Sequence, residues 1–93
     1  SEGVPVSIME AMSYGIPCLG TAVGGTPEII NNENGYLLSV VPTFKEIAHS
    51  IESYSQLSDH EKGLKRKAAY STWKTKYNAK KNYVKFTEEM LKL

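Results

Sequence analysis

The chain has 93 residues, 41% of them hydrophobic and 23% charged, with a formal net charge of +1. That is enough for a small core but short for a two-domain protein, and no apolar run approaches the roughly 18 to 20 residues of a membrane span. A single cysteine, Cys18, excludes an internal disulfide framework and a multi-cysteine zinc site.

The first predicted element is a helix over residues 5–14, in which Val6, Met9 and Met12 recur at three-residue spacing and Gly15 before Ile16-Pro17 ends the pattern. Pro5 suits the first helical position, and Gly3 lets backbone approach a ligand. Cys18-Leu19-Gly20-Thr21 reads as a buried parallel strand. After the loop Ala22–Gly25, Thr26 is expected to cap a second helix with Pro27 at its first position, giving a second anion-friendly start. Asn34-Gly35 signals a turn, and Tyr36–Leu38 another strand. Thr43 and Glu46 form a capping box before a helix whose Phe44, Ile47, Ala48, Ile51 and Tyr54 keep one face apolar. Ser58 and Glu61 form another, opening a helix to about Tyr70. Beyond Ser71-Thr72-Trp73, a last helix is expected from near Asn78, with Ala79, Tyr83, Phe86 and Met90 on its buried face.

Charge divides along the chain. Residues 1–57 hold one basic and six acidic side chains, and residues 58–93 hold ten basic and four acidic. A basic second half suits an acidic surface, either an anionic membrane face or another part of the protein, and it also suits a solvated lysine-rich helix face. With no secretory signal visible, the expected compartment is the cytoplasm, with or without membrane association.

The start of the first helix carries the chemistry. Its unpaired N–H groups and partial positive charge favour a phosphate without a lysine or arginine. At a rise of roughly 1.5 Å per residue, the carboxylate of Glu10 stands about 7 to 8 Å from the helix start, close to the step from a phosphate to a ribose. Its two acceptor oxygens match paired ribose hydroxyls. Glu2, on the other side of the phosphate position, can accept from hydroxyls of a transferred sugar. Spacing alone equally allows both to be solvent-facing acids stabilising a helix dipole. Gly24 and Gly25 either let backbone approach a donor or acceptor, or simply make a tight turn. Glu28 suits its first helical turn on dipole grounds, and His49 and His60 lack partners at metal-ligand spacing.

Glu2, seven residues, Glu10, Ala11-Met12, Gly15-Ile16-Pro17, Gly24-Gly25, Glu28-Ile29 and Asn34-Gly35 together resemble family 4 (group 1) glycosyltransferases, over residues 1 to about 38. The resemblance implies an α/β fold: a truncated Rossmann-like C-terminal domain of a GT-B enzyme, with short parallel strands and about four helices. Residues 1–75 would be part of the nucleotide-sugar-binding domain and 76–93 a C-terminal helix packing toward an N-terminal domain outside this sequence. It implies hexosyl transfer with retention from a nucleoside diphosphate sugar to a saccharide or lipid-linked acceptor, as in polysaccharide synthesis, with no cofactor and no metal. Glu2 is the implied catalytic group, and Glu2, Gly3, Val4, Val6 and Glu10 the donor-binding set. Pro5 stands where the family more usually has a third glycine, leaving one backbone donor fewer. In the family, basic diphosphate-binding groups lie upstream and acceptor groups on the other domain, so this piece alone is expected to be inactive or very weak.

Peripheral membrane contact through the basic tail, and dimerisation or element exchange through an exposed apolar stripe, are further expectations. The rivals are a nucleotide-sugar epimerase of the same architecture and a small basic nucleic-acid-binding module. The Glu-Ala-Met segment speaks against the first. The core-like spacing of the tail aromatics speaks against the second, so no nucleic acid partner is expected.

Overall fold

The computed structural model describes the backbone of residues 6–91 and the side chains of residues 6–81. Its elements run α1 (Val6–Ser13), β1 (Cys18–Thr21), α2 (Thr26–Ile29), β2 (Gly35–Leu38), α3 (Phe44–Ser55) and α4 (Asp59–Leu91). The two strands pair in parallel, Cys18 opposite Gly35 through Thr21 opposite Leu38. A parallel pair requires a crossover, and the turn of α2 supplies it. The expected α/β architecture with parallel strands and four helices is therefore present.

Strand alternation sorts side chains onto two faces. Cys18, Gly20 and Leu37 face a core in which Met12, Ile29, Ile30 and Ala69 are buried, with Ile8, Met9 and Trp73 packed around them. Leu19 and Tyr36 face the other way, sharing an open apolar groove of about 290 Å³ with Ile51 and Tyr54 of α3. The sheet thus lies between α1 with α4 on one face and α3 on the other.

Helix ends follow the sequence closely. Gly15, at φ 69°, closes α1: its N–H donates to the Met12 carbonyl at 2.9 Å and that of Ile16 to Ala11 at 3.1 Å, the paired pattern of a left-handed C-terminal cap. Thr43 Oγ1 accepts from the Glu46 N–H at 3.1 Å, and Ser58 Oγ from the Glu61 N–H at 3.1 Å. Each glutamate reaches back. Glu46 accepts from the Ser39 hydroxyl at 2.6 Å and the Ser39 N–H at 2.9 Å, and Glu61 from the Ser58 N–H at 3.0 Å. These bonds hold both carboxyls below the usual glutamate range, chiefly through the Ser39 hydroxyl for Glu46 and the Ser58 backbone for Glu61. A depressed folded pKa stabilises above the unfolded glutamate value of about 4.3, and that stabilisation is lost as pH falls through the lower folded value. Accordingly, denaturant midpoints should fall on acidification through that window and the fall should be shallower in Glu46→Gln/Glu61→Gln; an unchanged slope would remove these two acids from the account.

Several expectations are corrected. α2 is capped at Gly25, without a side-chain cap bond, because Thr26 is buried (4% exposed) rather than free to cap. With four residues, α2 has almost no aligned dipole and offers no second anion site. Val6 is 79% exposed, so only Met9 and Met12 of its stripe turn inward. On α3, Phe44 and Ile51 are 92% and 59% exposed and Ala48 is also exposed. The two described strands, roughly 5 Å apart, are too narrow a floor for that face, which overhangs them.

The break at Ser71–Trp73 and the separate helix start near Asn78 are both absent: α4 runs unbroken from Asp59 to Leu91. Nothing there stops a helix. Thr72 Oγ1 donates to the Ala68 carbonyl at 2.9 Å, and Trp73 reaches the core while stacking on Tyr77 with ring centroids 5.4 Å apart. Ala79 is exposed, contrary to its expected burial; the side chains of Tyr83, Phe86 and Met90 lie outside the described residues. Among the described residues, no helix is long and apolar enough to cross a membrane.

Candidate functional site

Helix α1 sets the geometry. Its Ile8 side chain lies against Gly20 in the second half of β1, so the start of α1 stands at the carboxyl end of the strands. In open α/β sheets that is the end where ligands collect. The loop Ala22–Gly25 leaves β1 at the same end. The fold thereby brings Val6, the first turn of α1, Gly24 and Gly25 to one side of the molecule.

Burial of Met12 decides where Glu10 goes. Two residues along a helix is a turn of about 200°, so a fully buried Met12 directs Glu10 outward. Glu10 is exposed, four residues and about 6 Å of helix rise from Val6. Its neighbour Ser13 donates from its hydroxyl to the Glu10 carbonyl at 2.6 Å, which tightens the last turn and leaves the carboxylate outside that bond. Glu2, Gly3, Val4 and Pro5 lie outside the described residues.

The glycine loop has a defined shape. Gly24 is in the left-handed region at φ 55°, and the Thr26 N–H donates to the Val23 carbonyl at 3.1 Å, closing a tight turn. Gly24 is exposed, whereas Gly25 is buried. The turn explanation for Gly24 is thus met, and of the pair only Gly24 offers open backbone. Glu28 is exposed in the first turn of α2, and His49 and His60 are exposed on α3 and α4. Cys18 is half-buried, with its thiol pushed up by burial, which suits packing and not nucleophilic chemistry. No cluster of metal-ligating residues occurs among the described residues.

A family model described as glycosyl transferases group 1 matches residues 1–71. The chain belongs to this family. The match contains α1, both strands, the glycine loop and the first third of α4, and with the family comes the Rossmann-like GT-B architecture of which these strands are part. Among similar proteins is the putative colanic acid biosynthesis glycosyltransferase WcaL of Escherichia coli (strain K12), 35% identical over 60 residues, which are 64% of this chain and 15% of that protein. The N-acetyl-alpha-D-glucosaminyl L-malate synthase of Bacillus anthracis is 46% identical over 43 residues, 45% of this chain and 11% of its own length. A probable sucrose-phosphate synthase of Thermosipho melanesiensis is 38% identical over 74 residues, 77% of this chain and 17% of that protein. The chain therefore spans less than a fifth of each of these relatives.

One feature lies at the other end of α1 from this site. An open cleft between α1 and α4 is lined by Tyr14, Arg66, Lys67 and Tyr70. The basic count and the aromatic spacing were each visible, but bringing Tyr14 to α4 required the packing of one helix on the other.

Proposed function

We propose that this group 1 glycosyltransferase chain grips the nucleoside diphosphate sugar in a retaining transfer of a hexosyl group to a saccharide or lipid-linked acceptor. The observation that carries the reading is an outward Glu10 on α1, the helix that starts at the carboxyl end of the strands, inside the family match over residues 1–71. Glu10 accepts from the ribose hydroxyls. Backbone N–H groups around Gly3, Val4 and Val6 hold the diphosphate, and Pro5 contributes none. Glu2, the proposed catalytic group, accepts from hydroxyls of the sugar as positive charge builds at its anomeric carbon. As the glycosidic C–O bond breaks, negative charge passes to the diphosphate, and N–H groups aimed there lower the barrier. The exposed backbone of Gly24 borders the donor or the acceptor. The relatives' names support a saccharide setting, since they include a colanic acid glycosyltransferase and a glucosaminyl malate synthase.

Ribose dependence tests the role of Glu10. Calorimetry or protein-observed NMR with a panel of nucleoside diphosphates should find one bound more tightly than its 2′,3′-dideoxy analogue. Glu10→Gln, which keeps shape but loses charge, should cut that preference about tenfold or more, the worth of charge-assisted hydrogen bonds. Equal binding of the two nucleotides by the unaltered chain would sink the ribose-clamp reading.

A further inference from the structure

From Arg66 to Lys81, α4 carries six basic side chains and no acidic one. At 3.6 residues per turn, Arg66, Tyr77, Tyr70, Lys81, Lys74 and Lys67 fall within one arc of about 100°, whereas Ala68, Thr72, Thr75 and Ala79 on the far side are uncharged. All six residues of the arc are exposed, Tyr70 to 43% and Tyr77 to 49%. Trp73 borders the arc. It packs on the core and meets Tyr70 and Tyr77 with ring centroids 5.6 and 5.4 Å apart, so the tyrosines are braced against a fixed ring. Tyr14, at the end of α1 and 77% exposed, joins the patch through the cleft it shares with Arg66, Lys67 and Tyr70.

We propose that this face of α4, together with Tyr14, docks on the anionic lipid headgroups of a membrane surface. The match is one of chemistry and layout. Four cations attract lipid phosphates, their long alkyl stems lie along apolar surface while the charge stays in water, and tyrosine presents an apolar body with a polar tip, the combination that settles at headgroup level. The strip is about 22 Å long at 1.5 Å per residue and straight, since it lies on one helix. Docking is lateral, as α4 lacks the apolar run needed to cross. A single-stranded nucleic acid fits less well. Its bases need free aromatic faces, and Trp73 and Tyr77 are stacked on each other at an interplanar angle of 22°. The proposal does not depend on sugar transfer.

Cosedimentation of the chain with vesicles tests it. Vesicles containing phosphatidylglycerol should retain the protein at low salt and release it as salt rises, and pure phosphatidylcholine vesicles should not retain it. Removing three exposed cations in Arg66→Gln/Lys67→Gln/Lys74→Gln should weaken partitioning about 100-fold, roughly fivefold per cation, with the circular dichroism spectrum unchanged. A second variant, Tyr14→Ser/Tyr77→Ser, should weaken it at fixed charge. Equal retention by neutral vesicles, undiminished retention of the triple variant, or retention by single-stranded oligonucleotides but not by vesicles would each overturn the proposal.

Discussion

Replacing Gly35 with alanine is expected to separate β1 from β2 and unfold the α/β body. A methyl group there would lie 2.3 Å from the Cys18 carbonyl oxygen and 3.1 Å from the Cys18 nitrogen. Both are backbone atoms of the paired strand, so neither can rotate away. Relief requires moving one strand off the other, and among the described residues this is the one strand pairing that holds the register. The expected loss is about 3 kcal/mol or more, beyond ordinary overpacking and a large fraction of the stability of a small domain. Two other glycines calibrate the result. At Gly20 the added methyl would meet the Ile30 Cδ1 at 2.6 Å and the Thr26 Cγ2 at 3.0 Å, both ends of side chains that can shift, so Gly20→Ala should cost about 1 to 3 kcal/mol. At Gly63, in α4, the nearest atom is the flexible end of Arg66 at 3.8 Å, and Gly63→Ala should stabilise by about 0.5 to 1 kcal/mol through helix propensity. Urea denaturation followed by circular dichroism ranks the three. A Gly35→Ala midpoint at or above that of Gly20→Ala would show that the strands are less closely coupled than their register implies.

The three glycines also mark what the sequence could and could not convey. Local devices were legible. The Ser58 capping box, the Thr43 N-cap, the glycine cap at Gly15 and the short strands are each specified within a few residues and form as expected, while the Glu46 carboxylate turns to Ser39 instead of closing a box on Thr43. Burial was less legible because it depends on what lies opposite. The periodicity of Phe44, Ile47, Ile51 and Tyr54 correctly gave one apolar face on α3, but the width of the sheet beneath decides how much of it is covered. Val6 failed for a similar reason, being one turn before the helix reaches the core. No break occurs at Ser71–Trp73, because the polar side chains there do not compete with the helix backbone. Thr72 is instead satisfied within the helix and by a residue 38 positions earlier in the chain, a partner no local pattern reveals. Of the site, the outward turn of Glu10 follows from Met12 being a core residue, and the placing of the start of α1 on the side of the glycine loop follows from the α–β order of the elements.

The residue that makes that long connection, Asn34, should be the least replaceable polar side chain described. It is 1% exposed, and its amide is fully engaged: Oδ1 accepts from the Asn31 N–H at 2.9 Å, while Nδ2 donates to the Ile29 carbonyl at 2.7 Å and to Thr72 Oγ1 at 2.9 Å. It thus joins the end of α2, the turn before β2 and the middle of α4. Beside it, the buried Lys65 donates to the Asn32 carbonyl and lies 4.3 Å above the Tyr36 ring, fastening the same turn to the same helix. Asn34→Leu fills a similar volume but strands the buried Ile29 carbonyl, at about 1 to 3 kcal/mol, and leaves the part-buried Asn31 N–H to water, so a total of about 2 to 3 kcal/mol is expected. Thr72→Val, which removes one acceptor, should cost about 1 kcal/mol, and the double variant should cost less than the two single losses added together because they share a bond. Asn34→Asp supplies a further test through pH. A carboxyl here still accepts from Asn31 but faces the Ile29 carbonyl, so its folded pKa is raised by burial and lost donors. A raised folded pKa makes the protonated state the stabilised one; the contribution is fully present below the unfolded aspartate value of about 3.9 and is lost as pH rises from there through the higher folded value. Asn34→Asp should therefore be closest to the unaltered chain in acid and furthest from it at neutral pH. A penalty independent of pH, or full additivity of Asn34→Leu with Thr72→Val, would mean that α4 is held to the turn by packing alone.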